Sequence, residues 1–298
     1  MNLRALRYFA ALARLGHFAR AAEQCGVTQP TLSAALAGLE VEVGKRLIER
    51  ERRFIGLTAE GEAMLPWVQQ MLATHDAMLQ SVELVSGPLT GEMHIGAIPA
   101  ALPLTGTIGS LLLEAHPRLS ISVRSLTSAE IAQGLHAFEI DAGITYLDEP
   151  PSADVIAEPL TTDRHYFLAA KEARSLPRDE IGWTEAAGHP LCLLHEGMKN
   201  RRIIDTAFAH HGLSVSPRAT ADSFITLLAM VRTGQFATII PESHRFLVDG
   251  LDWADLLPLE RLPGGQEIGL VILDRAPLGA LPAAALAMAR RFGDRDRR

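Results

Sequence analysis

The densest run of groups able to bind a substrate is His195-Glu196-Gly197-Met198-Lys199-Asn200-Arg201-Arg202. It lies where an apolar run, residues 191–194, gives way to a helical pattern. Cations at a helix N-terminus suit a carboxylate or another small anion. The same run also fits a solvated stretch of surface charge. Catalytic chemistry finds less support. The eleven histidines include no HExxH, and His210-His211 lack partners at metal-ligand spacing. There is no GxSxG elbow, no Walker loop and no GxGxxG after a strand, so neither an enzyme nor a metal or cofactor site is expected. The two cysteines, Cys25 and Cys192, form no CxxC. One disulfide is formally possible, but packed, reduced thiols in a cytoplasmic protein are the better reading.

A second polar set lies near the start. Leu3, Leu6, Phe9, Ala10 and Ala13 predict a helix over 2–15 that stops at Gly16. A second helix runs from about Phe18 to Cys25, with Ala21 and Ala22 small enough for close packing and Gly26 as its stop. A third opens at Thr28, whose hydroxyl can cap free N–H groups, with Pro30 tolerated in the first turn and Leu32, Leu36 and Leu39 as its buried stripe. Two helices joined through Gly26-Val27-Thr28 make a helix-turn-helix, with 28–39 as the candidate recognition helix. Gln29, Thr31 and Ser33 offer short polar groups to base edges or phosphates. An ordinary corner between two helices fits the spacing equally well.

The charge is divided. The chain of 298 residues has a net charge of −7, which alone argues against a nucleic-acid partner. Residues 1–60, however, hold nine Lys/Arg against six acids, +3, while the remainder is −10. A cationic head on an acidic body suits a DNA reader. A mean hydropathy of +0.12 and 48% hydrophobic residues indicate a globular chain, and no apolar run reaches the roughly 18 residues of a membrane span. Arg7 and Arg14 interrupt the first apolar stretch, so no export signal is read.

Phe18-Ala19-Arg20-Ala21-Ala22-Glu23 followed by Val27-Thr28-Gln29-Pro30-Thr31-Leu32-Ser33 resembles the N-terminal signature of LysR-type transcriptional regulators. So do Leu39-Glu40 with Val43-Gly44, Leu47-Ile48-Glu49-Arg50, and Leu57-Thr58-Ala59-Glu60-Gly61, in the family's order across roughly 60 residues. The resemblance implies a winged helix-turn-helix with residues 47–57 as the wing. Arg20, Arg50 and Arg53 then suit phosphate or minor-groove contact, or remain solvated charges. With Thr28, Gln29, Pro30, Thr31 and Ser33 they make up the candidate DNA-binding set. Ala34 and Ala35 depart from the polar or basic residues common in the family, which shifts specificity toward Gln29, Thr31, Ser33 and DNA shape.

A long helix is read from Thr58 to about Val85, with Met64, Leu65, Val68, Met71, Leu72, Met78, Leu79 and Val82 as its stripe. By resemblance it pairs with its twin in a second subunit, although packing on its own C-terminal domain would also cover the stripe. Ser86-Gly87-Pro88 begins a hinge.

Beyond the hinge, short apolar runs alternate with helical segments, the pattern of α/β architecture with a mostly parallel sheet. Strands are read at 93–98, 119–124, 142–145, 165–169, 191–194, 237–240 and 268–273, and helices at 105–115, 128–135, 202–211, 223–233 and 281–292. This order resembles the family's periplasmic-binding-protein-like effector domain.

The implied domains are 1–60 for the DNA-binding head, 58–88 for linker helix and hinge, and 91–298 for effector binding. Lobe 1 would take about 91–162 and 267–298, and lobe 2 about 163–266. Effector candidates come from strand ends and helix starts: Pro99, Ala100, Ala101, Ser128, Thr145, His195, Lys199, Arg201 and Arg202. The family often has a hydroxyl in the first segment, and none occurs here before Thr105.

The resemblance implies a ligand-responsive transcription factor. Its partners would be promoter DNA, a small, anionic effector, further copies of itself as homodimer or homotetramer, and RNA polymerase. A solute-binding protein would leave the cationic head without a purpose, and an α/β enzyme would need a nucleophile or acid/base set that is not found.

Overall fold

The computed structural model describes residues 2–50, 54–86, 88–148, 154–171, 180–248, 250, 252–261 and 266–296. They form two compact bodies that divide near Leu89/Thr90.

The first body opens with helix α1 (Leu3–Leu15), capped by Asn2, whose side chain accepts the Arg4 N–H at 2.9 Å. It ends at Gly16 with φ +62°, a left-handed conformation that favours glycine. Helix α2 (Phe18–Gln24) and helix α3 (Gln29–Val43) follow, the latter ending four residues later than expected because Gly44, at φ +73°, is its true stop. Strands β1 (Ile48–Arg50) and β2 (Phe54–Leu57) pair antiparallel. Leu6, Phe9, Leu12, Leu32, Leu36 and Leu39 meet in one core. Each such burial contributes about 1.5–3 kcal/mol before entropy is charged.

Helix α4 (Ala59–Ser86) closes this body, with Pro66 inside its length. Its apolar stripe runs along one face, but its surroundings change along the helix. Met64, Leu65, Val68 and Leu72 join the head core, whereas Met71, Met78, Leu79 and Val82 are exposed together with Trp67. Gly61 is required where it stands: a Cβ there would fall on the Leu47 carbonyl oxygen. Of the proposed hinge, Gly87 lies outside the described residues.

The second body contains two sheets. In the first the order is β4 (Arg118–Ser125), β3 (Thr90–Ala97), β5 (Ala142–Tyr146), β12 (Gln266–Leu273) and β6 (Val155–Asp163). Helices α5 (Leu104–Ala115), α6 (Ser128–His136) and α10 (Ala280–Asp296) belong to the same part of the chain. Ile131 of α6 occupies the room left by Gly96 and Gly143 on adjacent strands.

The second sheet centres on β7 (His165–Ala170), flanked by β10 (Ala237–Pro241) and β11 (Ala254–Pro258). The parallel pair β8 (Cys192–Leu194) and β9 (Ala219–Ala221) joins its edge through a parallel bridge from Leu191 to Ala237. Helices α7 (Trp183–Ala187), α8 (Lys199–His210) and α9 (Phe224–Val231) lie in this part of the chain.

The sheets are mixed rather than mostly parallel. β12 runs antiparallel to β5 and β6, and β7 antiparallel to β10 and β11. The cause is the crossover. β6 passes through Arg164 directly into β7, so one extended segment heads toward the junction in one sheet and away from it in the next. Sequence periodicity also passed over β6, α7, β9 and β11.

Candidate functional site

Two sites emerge, one in each body. In the head, the start of α3 is capped locally: Thr28 Oγ1 accepts the Thr31 N–H at 3.4 Å, and the two hydroxyls lie 2.8 Å apart. Gln29, Pro30, Thr31 and Arg20 are exposed, while Ser33 is half-buried. The Arg50 side chain and Arg53 lie outside the described residues. Glu40, near the end of α3, turns toward the hairpin and accepts the N–H groups of Leu47 at 2.9 Å and Ile48 at 3.2 Å. That carboxylate ties the wing to the recognition helix, a link for which the sequence spacing carried no signal.

In the second body a cavity of about 460 Å³ is bounded by residues from chain segments before β6 and after β7. One wall comes from Ile98, Pro99, Ala100, the run from Ser125 to Glu130, and Tyr146. The other comes from Leu194, the run from Gly197 to Asn200, Arg202 and Asp222. Of the residues singled out in sequence, Pro99, Ala100, Ser128, Lys199 and Arg202 therefore come together.

Four others are placed differently. Ala101 is buried with no exposed surface. Thr145 stands behind Ser128, hydroxyl to hydroxyl at 2.9 Å. His195 is exposed away from the wall, its N–H bonded to the Ala221 carbonyl. Arg201 is buried as a structural cation, donating to the Leu194 carbonyl at 3.0 Å and to Asp205 at 2.9 Å. Its position two residues into the helix turns it from the cavity back over the preceding strand.

The cavity's charges are more balanced than the cationic run suggested. Lys199 lies 3.0 Å from Asp148 and 5.4 Å from the centre of the Tyr146 ring. Glu130 is engaged at the start of α6, where Thr127 donates its N–H and hydroxyl at 2.7 and 2.9 Å. Those bonds hold its carboxyl below the usual range. The α8 start has no such cap, since Met198 offers no side-chain acceptor.

Behind the cavity, at the crossover, four buried polar side chains meet. Tyr146 donates to Asp163 at 3.0 Å, and Asn200 Nδ2 donates to the Tyr146 oxygen at 3.3 Å and lies 3.4 Å from His165 Nε2. Burial pushes the Asp163 carboxyl up to about 7, although the Tyr146 bond opposes this. Burial pushes His165 down to about 4, so the 3.9 Å approach of His165 to Asp163 is not an ion pair at neutral pH. Asp163 was not singled out in sequence, and Asn200 was named only as part of the polar run, because no spacing rule brings Tyr146, Asp163 and Asn200 together.

Among the described residues, no group of three or more His, Cys, Asp or Glu is placed to hold a metal. Cys192 is fully buried and its thiol is pushed up to about 11 by burial, while Cys25 is shifted upward for the same reason.

Comparison with known proteins agrees with this division. The family model described as "Bacterial regulatory helix-turn-helix protein, lysR family" matches residues 3–62, and "LysR substrate binding domain" matches residues 86–293. A probable hydrogen peroxide-inducible genes activator of Mycobacterium leprae is 32% identical over 241 residues, covering 80% of this chain and 77% of the relative. The nitrogen assimilation regulatory protein nac of Klebsiella aerogenes is 26% identical over 249 residues, covering 82% and 79%. The solved structure of a full-length OxyR variant from Pseudomonas aeruginosa superposes with a TM-score of 0.77 at 24% identity, over 98% of this chain and 94% of that one. The chain belongs to the LysR family of DNA-binding transcriptional regulators with an effector-binding domain.

Proposed function

We propose that the second body senses a small molecule in the 460 Å³ cavity, whose walls come from both lobes, and that occupancy alters how the head engages promoter DNA. The volume suits a compact metabolite. The wall supplies an apolar bed in Ile98, Pro99, Ala100 and Leu126. An anionic group on the ligand is supported by Arg202 and by the uncapped start of α8. Lys199, already paired with Asp148, contributes less than its sequence position suggested.

The exposed face of α4, Trp67, Met71, Met78, Leu79 and Val82, supports pairing with a second copy. A dimer, or a tetramer built from two, would hold two recognition helices at fixed spacing. The protein then works in the cytoplasm beside its DNA, with RNA polymerase as a downstream partner.

The names of the relatives do not transfer a signal, since they respond to different cues. Peroxide sensing by a thiol is disfavoured because Cys192 is buried and kept protonated.

The test is an Ala129→Trp variant, which fills the cavity from the exposed rim of α6. DNA binding in vitro should persist while a promoter reporter becomes fixed in one state. A reporter that still switches as in the parent would refute the cavity as the effector site.

A further inference from the structure

The second body holds another cavity, of about 510 Å³, which shares no lining residue with the first. Its wall is drawn from the end of β6, the turn Glu242–Leu247, the start of β12 and the C-terminal part of α10. Three carboxyl groups border it, Asp163, Glu242 and Glu267, against one guanidinium, Arg164. Leu104 and Phe292 add an apolar border.

Asp163 distinguishes this cavity from a solvated acidic patch. Its side chain is 1% exposed, and its ion-pair neighbour, His165 at 3.9 Å, is held neutral by burial. The half-exposed Arg164 is directed to Glu242, 3.9 Å away. An ionised Asp163 therefore stands buried beside open space with its charge uncompensated. The protein alone answers this with a proton: burial, with Glu242 adding to it, pushes the carboxyl up to about 7. A positive group in the cavity would serve the same purpose. Among the described residues no three ligands are placed to hold a metal ion, so the cation that fits is organic.

Two hydrogen bonds join the cavities. Tyr146, which lines the first, donates to Asp163 in the second at 3.0 Å. Ser243, which lines the second, donates to the carbonyl of Ala100 in the wall of the first.

We propose that the second cavity binds a small organic amine, with ammonium groups at Asp163 and Glu242 and carbon chain along Leu104 and Phe292, and that its occupancy stiffens the wall of the first cavity through Tyr146 and Ser243. An ionised Asp163 accepts a stronger bond from Tyr146 than a protonated one, which is the physical link. What the coupling means for transcription rests on the effector reading of the first cavity; the amine site itself does not.

The test is titration calorimetry of the full-length protein with putrescine, cadaverine and spermidine, with 1,4-butanediol as the uncharged control. Saturable binding of at least one amine is expected, and none of the diol. The titratable and charged groups around Asp163 are Glu242 from the turn, Glu267 from β12, the adjacent Arg164, His165 of β7 and the Tyr146 hydroxyl, while Asn200 of α8 is neutral. Because the amine favours the ionised carboxyl, affinity should rise about tenfold between about pH 6 and pH 8. Asp163→Asn, which keeps an acceptor for Tyr146, should weaken binding about tenfold or more and flatten that pH dependence; Glu242→Gln should weaken it similarly. Hydrogen exchange with the amine bound should slow at residues 98–101 as well as at 161–164. No saturable amine binding, binding unchanged in Asp163→Asn, or an affinity flat across that pH range would each overturn the amine site. Protection confined to the lining of the second cavity would overturn the coupling. Neither readout involves transcription, so failure here is distinct from failure of the effector reading.

Discussion

Replacing Glu40 by alanine should cripple DNA binding although Glu40 is directed toward the wing. One carboxylate oxygen accepts the N–H groups of Leu47 and Ile48 at 2.9 and 3.2 Å, and both residues are almost wholly buried. With alanine at 40, two buried donors lose their partner, and each costs about 1–3 kcal/mol. The sum, about 2–4 kcal/mol after partial relaxation, is a large share of what a head of this size possesses. For a domain of 60–100 residues this lowers the midpoint of its thermal transition by about 10 °C or more. Glu40→Gln keeps an acceptor without charge and should recover roughly half of the loss. Calorimetry gives the stability, and fluorescence anisotropy on an operator duplex gives affinity. If Glu40→Ala melts with the parent and binds DNA equally well, the carboxylate bridge between recognition helix and wing is not what holds the hairpin.

Three other perturbations have definite signs. Gly61→Ala should be far more damaging than an ordinary first-turn alanine, because the new Cβ falls on backbone at Leu47 rather than on a side chain able to move; limited proteolysis should find the head cleaved much faster than the parent. Asp163→Asn should stabilise the protein at pH 8 and lose that advantage as pH falls from about 7 toward 4, since the folded carboxyl takes up its proton near 7 and an exposed one near 3.8. His165 and His244, each held neutral to about 4, work in the opposite sense below about 6.5, so the comparison must be with the parent at each pH in a thermal-melt series. Finally, Cys192 in the folded protein should resist alkylation by iodoacetamide and oxidation by dilute hydrogen peroxide, measured by intact mass; rapid modification would return thiol sensing to consideration.

The head was legible in detail because its signals are local. Thr28, Pro30 and Gly16 mark helix ends by their own backbone chemistry, and the leucines of α3 repeat at helical spacing, although Gly44, the true end of α3, was passed over. The sheet topology was less so. Nothing in the residues of β7 or β12 announces that they run against their neighbours, because direction is set by how the chain crosses between the sheets, as at Asp163–His165. The cavity was read in part for a related reason. Strand ends and helix starts locate Pro99, Ser128 and Lys199, but whether Arg201 or Arg202 faces the cavity depends on helix rotation about α8. Lys199 is a case where charge was visible and its partner was not, since Asp148 lies 51 residues away in sequence. Tyr146, Asp163, His165 and Asn200 converge from three strands and a helix, a meeting no spacing rule can anticipate.

The most direct test of the account is selection of genomic fragments by the purified full-length protein, followed by anisotropy on the enriched fragments over a salt series. Enrichment of a few promoter fragments, with affinity that falls steeply as salt rises and disappears when residues 1–60 are deleted, is the predicted result. Uniform recovery of fragments, or binding that survives loss of the head, would contradict it.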